Sequence, residues 1–244
     1  VWLDPRQREV ADEPLARRGA DRRGAAHDDA GDVVEAARSA LPNGNALIST
    51  ASFQGGRTTE PGATTDNFSN SYTQLGSLID FTAWPNFGWI TWYDEQVSGG
   101  ANFTLSRTKT VHASEEITIV GVEVKNGGVV SQATPIETTS GATATSNTVT
   151  TQGPAVLIAL HGGDTGVSGS RNAVPNAASI ADGWTKIESY ELTNQAHVQV
   201  AIAVRTVTAA GTYSITWDHT PTERAILLLV AVEEALSLGI NAKA

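Results

Sequence analysis

The residues best placed to do chemistry form the run Leu160-His161-Gly162-Gly163-Asp164. It follows an apolar stretch, 155–160, that reads as a strand. A His-Gly-Gly turn after a strand can aim backbone N–H groups at a developing oxyanion, as acyl transfer requires. That chemistry also needs a nucleophile on a Gly-x-Ser-x-Gly elbow between a strand and a helix. The nearest run, Gly166-Val167-Ser168-Gly169-Ser170, is one position out of phase, and no alternating helices accompany it. The run is therefore expected to be a Gly-rich loop leaving a strand.

The other titratable residues give no local constellation. The histidines are His27, His112, His161, His197 and His219, and no two have the short spacing of a common metal site. Asp218-His219 is read as a turn before Pro221. Asp164, Asp182 and Asp218 lie near expected turns but do not form a calcium loop. Glu115-Glu116 and Glu233-Glu234 are sequence neighbours, which strands point to opposite faces, so neither pair works as an acid–base couple. The expectation is no enzyme, no catalytic residue, no metal ligand and no cofactor. A hydrolase on a β scaffold would require His161, Asp164, Asp218 and His219 to converge in space.

The aromatic cluster Phe81, Trp84, Phe87, Trp89, Trp92 and Tyr93 offers binding rather than catalysis. In a strand Trp89 and Tyr93 share a face and Trp92 points the other way. Most of the cluster is expected in the core. Any exposed member of Trp84, Phe87, Trp89, Trp92 and Tyr93 is a candidate contact for a partner subunit or a sugar ring. The sequons Asn67-Phe68-Ser69 and Asn102-Phe103-Thr104 matter only in a glycosylating host.

Composition bounds the partners. The chain has 244 residues, 40% of them apolar, enough for a substantial core. Its net charge of −10 disfavours nucleic acid, whose phosphates call for clustered Lys and Arg. No apolar run approaches the length of a membrane-spanning helix, and no basic segment followed by an apolar one opens the chain. Cysteine is absent, which excludes disulfides and thiolate metal sites.

Seven of the twelve arginines lie before Ser39, interleaved with acidic residues. Residues 1–44 read as a non-globular arm, since mixed charge of this kind buries too little surface to offset ordering. Arg17, Arg18, Arg22 and Arg23 are its candidate attachment residues. A short helix is expected over 32–40, capped by Asp32, with Val33, Val34, Ala37 and Leu41 as its apolar stripe.

From Asn45 onward short runs of Val, Ile, Thr and aromatics alternate with Gly, Asn and Ser clusters, the texture of strands and turns. The run 225–232 is apolar throughout and should be buried on both faces. Two stretches repeat. Ala46-Leu47-Ile48 up to Gly55-Gly56 matches Ala155-Val156-Leu157-Ile158 up to Gly162-Gly163, and Ser71-Tyr72-Thr73 matches Gly183-Trp184-Thr185. Ser98-Gly99-Gly100-Ala101-Asn102-Phe103-Thr104-Leu105 matches Ala209-Ala210-Gly211-Thr212-Tyr213-Ser214-Ile215-Thr216, and Ile119-Val120-Gly121-Val122-Glu123 matches Leu229-Val230-Ala231-Val232-Glu233. The offset stays between 107 and 112. Gly100 and Gly211 are expected to supply positive φ in hairpin turns. The organisation is an arm, a first β unit over 45–137 and a Thr/Ser-rich connection over 138–153. A second unit over 154–235 and a tail over 236–244 follow. The two units are expected to pack closely.

This pattern of a strand ending in Gly-Gly, a turn with Tyr or Trp, a Gly-Thr-Tyr hairpin and a closing Leu-Val-Ala-Val-Glu strand has a parallel. Over Asn45 to Glu234 it resembles β-sandwich structural proteins of tailed bacteriophage virions, such as head decorations, head or neck fibres and tail accessories. The resemblance carries no catalytic residues. It implies an all-β, antiparallel, jelly-roll-like sandwich of two similar units, held in a homo-oligomer and touching other virion proteins or a host-surface glycan. The alternative is a secreted or cell-surface carbohydrate-binding or adhesion module resting on the Trp-rich segment.

Overall fold

A computed structural model describes residues 2–4, 7–11, 33–40, 44–54, 63–108, 116–139, 141–164, 172–191 and 199–234. Among them the N-terminal segment contributes β1 (Trp2–Asp4) and β2 (Gln7–Ala11). The next strands are β3 (Val33–Ala40), β4 (Asn45–Gln54), β5 (Thr65–Asp66), β6 (Thr73–Phe81), β7 (Trp84–Val97), β8 (Ala101–Thr108) and β9 (Glu116–Val124). A middle group holds β10 (Gly127–Gln132), β11 (Ile136–Glu137), β12 (Gly141–Thr145) and β13 (Val149–Thr151). The chain then runs through β14 (Ala155–Asp164), β15 (Asn172–Pro175), α1 (Ala177–Ala181), β16 (Thr185–Glu191), β17 (Gln199–Val207), β18 (Gly211–Tyr213) and β19 (Thr216–Glu234).

The chain is all-β, and two main sheets share one plan. The first contains the order β9-β4-β7-β6 and the second the order β19-β14-β17-β16. The register agrees as well: a step of 109 residues carries Ala46↔Val124 onto Ala155↔Glu233 (46 to 155, 124 to 233). Each unit also carries a small outer pairing, β3 with β8 in the first and β13 with β18 in the second. On the far side of β9 lies β1, in parallel; on the far side of β19 lies β10, antiparallel.

Alternation in the strands makes one sandwich of the two units. Ala46, Ile48, Trp89, Val120 and Val122 of the first sheet share a buried cluster with Val156, Ile158, Leu160, Val200, Ile202, Leu228 and Val230 of the second. The opposite phase of the second sheet, Leu157, Ala159, Ala201, Leu227 and Leu229, packs outward under Trp184, Ile215 and Trp217. The small alanines leave room for those indoles. The first sheet covers its outer face with Phe103 and Leu105 of β8. The continuously apolar run of β19 is buried on both faces, as two-sided packing requires.

Several local expectations are corrected. Residues 33–40 form strand β3, not a helix, because pairing with β8 supplies the backbone partners and the leading Val33-Val34 suits a strand. The first unit therefore begins within the expected arm. The Thr-rich 138–153 connection, whose composition suits a strand in part, carries β12 and β13. Positive φ is found at Gly44, Gly76 and Gly183, not at Gly100 or Gly211, and neither glycine turns a hairpin, since β8 pairs with β3 and β5 and β18 with β13; Asn102 in β8 has φ 56. A Cβ on Gly100 would strike the Phe68 ring, so that glycine serves close approach. His161-Gly162-Gly163-Asp164 is not a loop: it is the end of β14, with 161–163 paired on both sides and Asp164 paired to β19. Asp218 and His219 likewise lie inside β19, where Pro221 falls in a register irregularity between Thr143↔Asp218 and Gly141↔Glu223.

Candidate functional site

The strand phase places a polar cluster in the core. His161 follows Leu157 and Ala159 on the outward face of β14, and Glu223 precedes Ala225 and Leu227 on the same face of β19. Past the irregularity at Pro221, β19 turns to pair with β12 and β15 and brings His219 over His161. The three residues are 0%, 0% and 3% exposed for His161, Glu223 and His219. Trp217, fully buried, stands against the His161 ring with centroids 5.6 Å apart.

The glycines of the motif have a steric purpose. Gly162 faces the inner core, where a Cβ would fall on the Trp89 indole of the opposite sheet. Gly163 faces outward, where a Cβ would fall on the Glu223 carboxylate. One glycine thus admits an inter-sheet tryptophan and the next seats a buried carboxylate.

Hydrogen bonding orders the imidazoles. The Gly141 carbonyl can only accept, so the proton of neutral His219 sits on Nε2, which donates to it. His219 Nδ1 is then an acceptor, and His161 Nε2–H donates to it across 2.8 Å. His161 Nε2 also lies 3.8 Å from a Glu223 oxygen. Burial pushes the His161 pKa down to about 3, with the adjacent His219 adding to the effect. Burial also lowers that of His219. Both rings are neutral at neutral pH. The cluster is sealed from outside substrate in this conformation, so its chemistry is that of lone pairs and a carboxylate held together.

An acid-stability prediction follows. The unfolded chain protonates His161 near 6.5 and the folded chain only near 3, so between these values the unfolded state binds more protons. Stability is full above pH 6.5 and falls as the pH drops through this window. The slope reaches about 1.4 kcal/mol per pH unit for one proton. His219 steepens the slope in the same direction. Thermal melts of chelator-treated protein from pH 7.5 to 5, above the carboxylate range, should show the decline. His161→Gln should flatten it; equal slopes in both proteins would contradict it.

Sequence reasoning named His161 and His219 and missed Glu223. Asp218 is exposed and does not join them. The side chain of Asp164, and His27, His112 and His197, lie outside what the structure describes, as do Arg17, Arg18, Arg22 and Arg23. The histidines show no short metal spacing along the chain, yet among the described residues one donor atom from each of His161, His219 and Glu223 lies within 4.8 Å of the other two. The aromatic cluster is divided. Trp89 is buried in the inner core and Trp92 on the opposite face, under the Arg107 guanidinium at 3.7 Å. Trp84 is half-buried and meets Phe81 edge-on, and Tyr93 is half-buried against the inner core. Phe87 lies in β7, its side chain outside the described set. The five do not present one flat platform.

No protein-family model, curated protein or solved structure matches this chain. Among the described residues no helix is long and apolar enough to cross a membrane.

Proposed function

We propose that this chain is a structural component of a virus particle, a head decoration, fibre or neck or tail accessory, acting through contacts with copies of itself and with other virion proteins. The observation that carries the reading is the addition of β1 to the β9 edge. Trp2 and Leu3 pair in parallel with Glu123 and Val124, though more than a hundred residues of chain separate them. An open sheet edge that accepts a strand from a remote segment joins chains by backbone hydrogen bonds. The second sheet fills the matching edge with its own β10. Among the described residues the two-unit sandwich exposes few large apolar side chains. Val129 and Ile180 are the large apolar side chains that stand more than half exposed among the described residues. The texture shared with virion sandwiches gives the reading its setting. A carbohydrate-binding role has less support, because Trp89 and Trp92 are committed to the interior.

The test is particle composition. The full chain should form homo-oligomers in native mass spectrometry and co-sediment with particles purified from its host. Deleting residues 1–11 should lower particle association at least about tenfold, the loss expected for an edge contact of ~1.4 kcal/mol or more. A strict monomer absent from particles would overturn the proposal.

A further inference from the structure

We propose that His161, His219 and Glu223 form a binding site for one divalent first-row transition ion of the zinc class, clasping β14 to β19. The inference stands apart from the virion reading and rests on the cluster alone.

The donor set is right for such an ion. Two imidazole nitrogens and a carboxylate suit zinc, cobalt or nickel, whereas magnesium and calcium prefer oxygen ligands throughout. The three donor atoms already converge within 4.8 Å. His219 presents Nδ1 to the cluster while Nε2–H donates to the Gly141 carbonyl. That outer contact fixes tautomer and ring plane in ligating histidines. Gly163 leaves the space that the Glu223 carboxylate fills.

The adjustment needed is small and has a readout. The His161 and His219 nitrogens are 2.8 Å apart and share a proton. Two nitrogens on a tetrahedral zinc at 2.0–2.1 Å stand about 3.3 Å apart. Binding therefore opens the pair by roughly half an ångström and moves the His161 ring proton from Nε2 to Nδ1, so the ring stays neutral and turns its Nε2 lone pair to the metal. That tautomer switch should appear in the ring-nitrogen chemical shifts of His161 on metal loading.

The repeat separates site from scaffold. In the first sheet the position matching His161, by the same step of 109, is Ser52, paired to Thr118 as His161 is to Leu227. The fold builds that strand without a histidine, so the strand itself does not require His161.

The experiment uses the full chain, stripped with chelator and then loaded with zinc or cobalt at a temperature just below its melt, because the site is buried. Elemental analysis should return one zinc per chain, and the cobalt form should show the visible absorption of a four-coordinate site. At zinc a hundredfold above its Kd the melting temperature should rise by about 5–10 °C. His161→Gln and Glu223→Gln should each weaken binding at least about 100-fold, the loss typical of deleting a ligand or its supporting contact. Should either variant fail to fold, the wild-type histidine ring resonances decide: zinc should shift those of His161 and His219 together. Less than a tenth of an equivalent of zinc in loaded wild-type protein, unmoved ring resonances, or undiminished zinc in folded His161→Gln would overturn the proposal.

Discussion

Gly162→Val is expected to be the most destabilising small change in the second sheet. Gly162 sits in the central strand β14, paired to Val200 and Ile226, and faces the inner core. A Cβ there would fall on the Trp89 indole, whose own residue is 2% exposed and packed by both sheets. Neither group can step aside, because a close-packed interior has no slack of that size. The sheets must separate locally or the indole must leave its rotamer. Such overpacking costs about 3 kcal/mol, which for a chain of this length lowers the melting temperature by roughly 6–12 °C. Trp89→Leu should cost stability on its own but restore part of it when combined with Gly162→Val. A coupling of about 1 kcal/mol or more is expected for groups in direct contact. A melt of Gly162→Val equal to wild type would mean that Trp89 does not fill that position.

The same pair shows what the sequence makes legible. The alternation of the strands, the two-sided burial of 225–232 and the opposed faces of Trp89 and Trp92 follow from period-two geometry, and the structure has them. The duplication was visible as matched text, and the pairing of Ala46 and Ala155 gives it a register. That register also corrects it: Gly162 corresponds to Phe53, two places before the Gly55-Gly56 with which the text aligned it. The Gly-Gly of the second unit is therefore its own feature. Residues 33–40 were misread because Val33, Val34 and Ala37 satisfy a helical stripe as well as a strand, and the deciding partner, β8, lies far along the chain.

The site was half legible for a physical reason. His161 and Glu223 both stand in the buried phase of apolar strands, in step with Leu157 and Leu227. A titratable residue in that phase is a signal that local spacing does not carry. His219 gave no such signal, because the irregularity around Pro221 breaks the phase between it and Glu223. Asp218, its neighbour, is exposed and was the wrong partner to seek. Spacing rules written for helices and hairpins miss a cluster assembled by one long strand crossing from one layer to another.

Trp217→Ala should produce the second large effect, and it separates packing from electrostatics. Trp217 is fully buried and packs against both the outer face of the second sheet and, tilted, the His161 ring. Truncating a tryptophan in such a place costs about 3–5 kcal/mol. Its indole N–H finds no acceptor among the described residues, so Trp217→Phe forfeits volume but no hydrogen bond and should cost roughly a third as much. The variants should differ in a second quantity. Burial is the main cause of the depressed His161 pKa, and Trp217 is part of what buries it. Removing the indole admits water, so the His161 pKa in Trp217→Ala should move up toward its ordinary value while Trp217→Phe leaves it low. Ring-proton titration by NMR in chelator-treated protein reads this directly. Destabilisation in Trp217→Ala with an unmoved His161 pKa would show that β12 and β15, not the indole, keep water from the cluster.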